Sequence, residues 1–361
     1  MKRYGTRFLA ILVTVAIAAV TPAEAGQADQ GAGQEPQGPW LDDLLPPEPE
    51  MRAHFDVAVE MVRVPVIVEG PMGGFVPAMA AGDFRIVDGS GPAHRVEHLV
   101  ADDAPGSVGI LVDGSADAGE LEEAMRRALG ALVGSLRQGD EAFLVRFADE
   151  VELLAPFSDS REELLDDAGG YAAAGGSGRA LHDALALGLI RMRRARHDKR
   201  ALVVLADGGD RGSEVDPADL REAARRDGVA IHAIVLREQE PRWRDRLEEE
   251  PAGEHDAEDH APVTDEVKAC RADAPSSTAC LQQLSRDTGG LVAVRPGVEE
   301  RFGGLTEWLR RAAVDVGAYV RRHYVLVYQP RSLPPRGTWR RLAVRVGVPF
   351  SRIRARTGYV R

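Results

Sequence analysis

The side chains best placed to do chemistry are oxygen donors that follow two apolar runs. Asp113-Gly114-Ser115-Ala116-Asp117 sets three of them at alternate positions of one loop, and Asp207-Gly208-Gly209-Asp210 adds carboxylates in a second. Hard oxygen donors converging in this way suit Mg²⁺, Ca²⁺ or Mn²⁺. Each group follows a run that reads as a buried parallel strand, Val108 to Val112 and Ala201 to Ala206. In a doubly wound sheet, ligands bind beyond the carboxyl ends of the strands where the strand order reverses. The expected site is therefore a pocket above the middle of such a sheet.

The elements needed to build that sheet are present. Strand patterns at Ala142–Phe147, Val151–Ala155 and Val229–Val235 alternate with helical patterns at 118–136, 161–168, 180–194 and 217–227. This alternation predicts a mainly parallel α/β sheet. Further on, Leu281 to Thr288 reads as a helix stopped by Gly289-Gly290, Leu291 to Val294 as a strand and Val298 to Val320 as an amphipathic helix. β-type segments flank this body: Phe55–Val68, Phe84–Val87 and Arg95–Val100 before it, Tyr324–Tyr328, Trp339–Val346 and Ile353–Tyr359 after it. Pro65 suggests an edge strand or a bulge. Neither flank has enough strands to be stable alone, so the expected arrangement is a small β-sandwich-like domain (51–104 with 323–361) flanking or receiving an α/β domain (105–322).

The amino terminus reads as an export signal. Met1-Lys2-Arg3 is positive, Phe8 to Val20 is apolar but short for a membrane span, and Ala23-Glu24-Ala25 fits a signal peptidase site, which makes 1–25 a leader. The expected location is secreted or periplasmic, with no span after cleavage. Residues 26–50 have the Gly, Gln, Pro and acidic composition of a linker, and 237–277 that of an acidic surface insertion. In an oxidising compartment Cys270 and Cys280 are expected to pair as a local disulfide. The net charge is −12, and although the carboxyl-terminal segment is rich in arginine, its arginines alternate with strand residues, so nucleic acid is not an expected partner.

The stretches SVGILVDGSAD, FLVRFADEVELLAPFS, GGSGRALHDAL and ALVVLADGGD occur in the order found in von Willebrand factor type A domains, which this chain resembles. VRVPVIV and DFRIVDG before them, with LSRDTGG, HYVLVYQP and RIRARTGYV after, are similar to the bacterial VWFA-related family first described from Acidobacteria. The resemblance implies a doubly wound fold of this kind and a metal-ion-dependent adhesion site built from an Asp-x-Ser-x-Ser loop, a Thr and a further Asp. Asp113, Ser115 and Asp207 match that pattern. Asp117 stands where Ser is expected and Arg179 where Thr is expected, with Ser177 as a substitute if the loop shifts by two residues. Two readings follow: a divalent cation held by Asp113, Ser115, Asp117 and Asp207, or an ion pair of Arg179 with Asp113 or Asp207 that makes a cation unnecessary.

Other signals are weaker. The Glu254–His260 stretch has no defined metal spacing, His182 reads as a packing or capping residue and Asp183 as a supporting one. No nucleophile elbow, H-E-x-x-H, phosphate-binding loop or dinucleotide fingerprint is present, so no catalytic residue is assigned and an enzyme is not expected. The function expected is binding of a protein partner by a loop rim around Gly114, Gly176, Gly208 and Asp210. The alternatives are a metal-dependent hydrolase using Asp113, Asp117 and Asp207, and a structural envelope component with a degenerate site.

Overall fold

The computed structural model describes residues 61–115, 119–176, 178–207, 209–236, 277–295, 304–349 and 351–361. The leader, the linker, residues 51–60, most of the acidic insertion, Cys270, Asp117, Ser177 and Gly208 lie outside them. The chain begins with β1 (Val62–Glu69), β2 (Phe84–Asp88) and β3 (His98–Val100). The α/β body follows with β4 (Ser107–Asp113), α1 (Glu120–Gly134), β5 (Glu141–Phe147), β6 (Val151–Ser158), α2 (Arg161–Gly169) and α3 (Leu181–Met192). It continues through β7 (Arg200–Ala206), α4 (Pro217–Asp227), β8 (Ala230–Val235), α5 (Ser277–Thr288), β9 (Val292–Val294) and α6 (Gly304–Arg322). Last come β10 (Tyr324–Tyr328), β11 (Trp339–Val346), β12 (Arg352–Ala355) and β13 (Gly358–Val360).

The body is a six-stranded sheet in the order β6-β5-β4-β7-β8-β9, with β6 antiparallel to β5 and the other pairs parallel. Every residue of β4 and β8 is buried, which explains why both read as unbroken apolar runs rather than alternating ones. One core forms where α1, α2 and α6 cover one face of the sheet, and a second where α3, α4 and α5 cover the other. The chain runs outward from β4 to β5 and then returns to β7 on the other side of β4. The order of strands thus reverses at β4, with Asp113 at its carboxyl end and Asp207 just beyond β7. The doubly wound expectation holds.

The flanking strands build two antiparallel sheets, β12-β1-β10-β3 and β13-β11-β2, around a core that includes Val64, Val66, Phe84, Ile86, Tyr324 and Leu342. Two expectations need correction. β1 lies between β10 and β12, so it is not an edge strand; Pro65 is tolerated because pairing with β12 begins only at Val66. The single strand expected over Ile353–Tyr359 is two strands in different sheets. Arg356 is buried at the corner between them, donating to the carbonyls of Gly358 and Arg63 at 2.8 Å each and to that of Arg225. Among the described residues no helix is long and apolar enough to cross a membrane.

Candidate functional site

Three loops at the carboxyl edge of the parallel strands meet around Asp113. The carboxylate of Asp113 turns back on its own loop: Oδ1 accepts from the Ser115 backbone N at 2.9 Å and from Ser115 Oγ at 2.6 Å. Its Oδ2 accepts from the backbone N of Asp207 at 3.4 Å, and Asp207 Oδ1 accepts from Gly209 N at 3.1 Å. Both carboxylates are buried, at 2% and 8% exposure for the whole residues. Tyr171, also buried, closes the floor by donating its hydroxyl to the Asp113 carbonyl at 2.7 Å.

The third loop brings in Arg179. Its Nε donates to Ser115 Oγ at 2.7 Å, Nη2 lies 2.8 Å from Asp207 Oδ2, and Nε stands 4.0 Å from Asp113 Oδ2. The backbone holds this side chain in register, because Arg179 and Arg211 exchange two N–H···O bonds, at 2.7 and 2.9 Å, zipping the second loop to the third. Ala180 N donates to Ala148 O at 2.8 Å, and Gly178 N to Asp149 Oδ1, fixing the same loop to the β5–β6 turn. The approach is so close that a Cβ on Gly176 would fall 2.1 Å from Asp149 Oδ2, and Gly176 also sits at φ +99°, where side chains are strained.

Among the described donors the oxygens are already engaged, and Asp117, the fourth expected donor, lies outside the described residues. A cation there would need lone pairs from Asp113, Ser115 and Asp207, yet each of these groups already accepts an N–H or O–H, and the guanidinium stands against Ser115 and Asp207. Among the described residues no group of three His, Cys, Asp or Glu side chains is arranged to hold a metal. The charge on Arg179 offsets one of the two carboxylates. Asp113 is the one that suffers: burial pushes its carboxyl up from the usual range against the opposing Ser115 hydrogen bonds, with the charge of Asp207 pushing the same way.

The remaining residues named from sequence divide. Gly114 is buried, with space for a Cβ blocked 2.7 Å away by Arg146 Cγ, so it offers no rim surface, whereas Gly176 is exposed. Asp210 is a capping residue: with Ser213 it accepts from the backbone N of His182, at 3.1 and 3.0 Å, in place of a side-chain cap within α3 itself. His182 is buried beside Asp210, and burial lowers the basicity of its ring against the opposing charge of Asp210, in keeping with a packing role. Asp183 accepts from the N–H groups of Glu214 and Val215 and so shapes the second loop, after β7. Sequence reasoning missed Tyr171, Asp149, Arg211 and Ser213; all act through contacts with distant backbone, for which no local pattern exists. Cys280 is buried on α5, and its expected partner lies outside the described residues.

Residues 108–209 match the family model described as von Willebrand factor type A domain. That segment is similar to a type A domain. That match spans β4 to the loop after β7 and so contains Asp113, Ser115, Arg179 and Asp207. No curated protein matches the chain. Among solved structures, BatB from Bacteroides thetaiotaomicron is 15% identical over 59% of this chain and 96% of its own, with a TM-score of 0.39. A von Willebrand factor type A protein from Catenulispora acidiphila is 12% identical over 85% and 76%, with a TM-score of 0.43. Proximal thread matrix protein 1 from the mussel byssus, with its MIDAS motif occupied by zinc, is 13% identical over 64% and 50%, with a TM-score of 0.43.

Proposed function

We propose that this protein is an exported, non-enzymatic binding protein whose type A domain engages a protein partner through the loops at the carboxyl edge of its sheet, without a metal. The observation that carries the reading is the Arg179 guanidinium seated between Ser115 Oγ and Asp207, in the position that the resemblance gives to a Thr beside a cation. A fixed positive group there takes over the neutralising role of an ion. Because the Arg179 side chain keeps 29% exposure, it still offers a charge to an acidic group arriving from outside. The exposed Gly176 and the loop around it supply the adjoining surface.

The finer parts of this reading stand on the sequence: a leader over 1–25, secretion or periplasmic residence, a Cys270–Cys280 bridge, and kinship with the bacterial VWFA-related family. The hydrolase alternative is not favoured, since it places a cation between Asp113 and Asp207 where the guanidinium of Arg179 has its partners. The test is retention of exported proteins on the immobilised mature chain, with and without EDTA. We expect equal retention in both conditions and reduced retention on Arg179→Gln. Retention abolished by EDTA overturns the metal-free mode, and no retention in any condition overturns the binding reading.

A further inference from the structure

A cavity of about 410 Å³ opens on the same edge of the sheet as Arg179, between α3, the start of β6 and the loop that follows β7. Its α3 wall is one face of the helix, since Asp183, Leu187 and Ile190 recur at four- and three-residue spacing. Val151 supplies apolar surface opposite, and Glu150 and Glu214 are exposed at the mouth. The cavity is thus aliphatic inside and acidic around its rim. Its volume is within the range that takes a large side chain with part of its neighbours.

Among the described residues neither Glu150, Asp183 nor Glu214 stands within ion-pair distance of a basic side chain. The carboxylate of Asp183 is fixed in place by the N–H groups of Glu214 and Val215, at 3.0 and 2.9 Å. Burial raises its pKa, the mark of a carboxylate that has lost water without gaining a cation. A metal ion is not the complement, because among the described residues no three acidic groups are close enough to ligate one. A longer cation with an apolar stem is. Lysine and arginine side chains combine such a stem with a charged tip, the stem packing on aliphatic surface while the tip reaches carboxylates.

We infer that this cavity is a docking site for a basic–aliphatic segment of a protein partner, with the stem of a Lys or Arg on Leu187 and Ile190 and its charge among Glu150, Asp183 and Glu214. The inference rests on the reading of the neighbouring loops as a protein-binding edge and gives that partner a chemistry: basic at α3, beside the positive Arg179. The test is fluorescence anisotropy of a labelled Leu-Arg-Leu-Lys-Leu peptide titrated with the full mature chain, against Leu-Gln-Leu-Gln-Leu as control. The expected result is binding of the basic peptide alone, weakened at least tenfold in Glu150→Gln/Glu214→Gln and by raising salt. Both glutamates are exposed, so the double variant should keep the melting temperature of the natural chain, which a thermal scan checks. Absence of peptide binding, or binding that the double variant leaves intact, overturns the inference. Partner retention on the double variant separates the two readings: undiminished retention removes the cavity and leaves the Arg179 edge standing, whereas no retention on either chain removes the edge while the peptide titration still decides the cavity.

Discussion

Arg179 and Asp207 come from loops 28 positions apart in the chain and meet at 2.8 Å, because a two-bond backbone bridge to Arg211 draws the Arg179 loop over the end of β7. The pair is partly buried, with 29% and 11% of the side chains exposed, so its removal leaves carboxylates short of both water and counter-charge. Breaking a buried pair from one side typically costs about 3 kcal/mol, less where water reaches one partner.

That relationship predicts a switch in chemistry for Arg179→Thr. The natural chain should give no heat of binding with Mg²⁺, Ca²⁺ or Mn²⁺ in isothermal titration. The variant should melt at a lower temperature in EDTA and recover part of the loss in millimolar Mg²⁺, because ligand binding to the folded state stabilises it. Tight Mg²⁺ binding by the natural chain, or a variant indifferent to the ion, would show that Arg179 is not standing in for a cation.

A second prediction concerns pH. His232 is fully buried on β8, accepting from Leu291 N at Nδ1, and burial, aided by the charge of Arg354, lowers its pKa from 6.5 to about 4. The unfolded chain therefore takes up a proton between pH 6.5 and 4 that the folded chain refuses. Stability from this residue is intact above pH 6.5 and is lost as pH falls toward 4, by roughly 1.4 kcal/mol per unit and so about 3 kcal/mol in all. His323, also buried and facing Lys199 and His232, is shifted in the same direction. Urea unfolding at several pH values between 7.5 and 4.5 should show a shallower decline for His232→Asn, which keeps an acceptor near Nδ1. Parallel pH profiles for the two chains would refute the assignment.

Much of this was legible in the sequence because the signals were local. Unbroken apolar runs gave β4, β7 and β8, the 3.6-residue period gave α1, α4 and α6, and the reversal of strand order put Asp113 and Asp207 together. Even the ion pair was readable, since a single unexpected residue type, Arg179, appeared in an otherwise regular pattern. What escaped was set by contacts across the fold. Nothing near Asp210 or Ser213 says that they cap a helix beginning about 30 residues earlier, and nothing in Ile353–Tyr359 says that a buried Arg356 breaks the strand. The Pro65 reading failed for a related reason: proline bars pairing at its own nitrogen only, and a neighbouring strand that starts one residue later avoids the conflict.

The Gly289-Gly290 pair shows the same limit and leads to a third prediction. Gly289, at φ +82°, ends α5 as a sequence-based reading expects. Gly290 does something else: a Cβ there would lie 1.8 Å from the carbonyl oxygen of Ile231, which is backbone of the hydrogen-bonded strand β8 and has no room to move. Gly290→Ala should therefore cost more than an ordinary loop substitution, about 3 kcal/mol or enough to prevent folding. Gly134→Ala, where nothing lies within 4 Å of the added carbon, should change the melting temperature little. Similar melting temperatures for the two variants would contradict the close approach.

Arg356 supplies the last prediction, and it concerns what joins the sheets to the α/β body. The guanidinium is buried, and burial lowers its pKa to about 10, yet among the described residues its hydrogen bonds go to no carboxylate: it serves the carbonyls of Gly358 beyond the corner, Arg63 on β1 and Arg225 near the end of α4. Three separate backbone segments are tied by one planar fork, a geometry that a lysine ammonium on a flexible stem cannot reproduce. Arg356→Lys keeps the charge but should leave at least one of these carbonyls unsatisfied, at about 1 to 3 kcal/mol for each buried group orphaned. Arg356→Met should cost more, since all three lose their donor. Urea unfolding of the natural chain and both variants gives the ranking natural, then Lys, then Met. A lysine variant as stable as the natural chain would mean that the charge, and not the shape of the fork, holds the corner together.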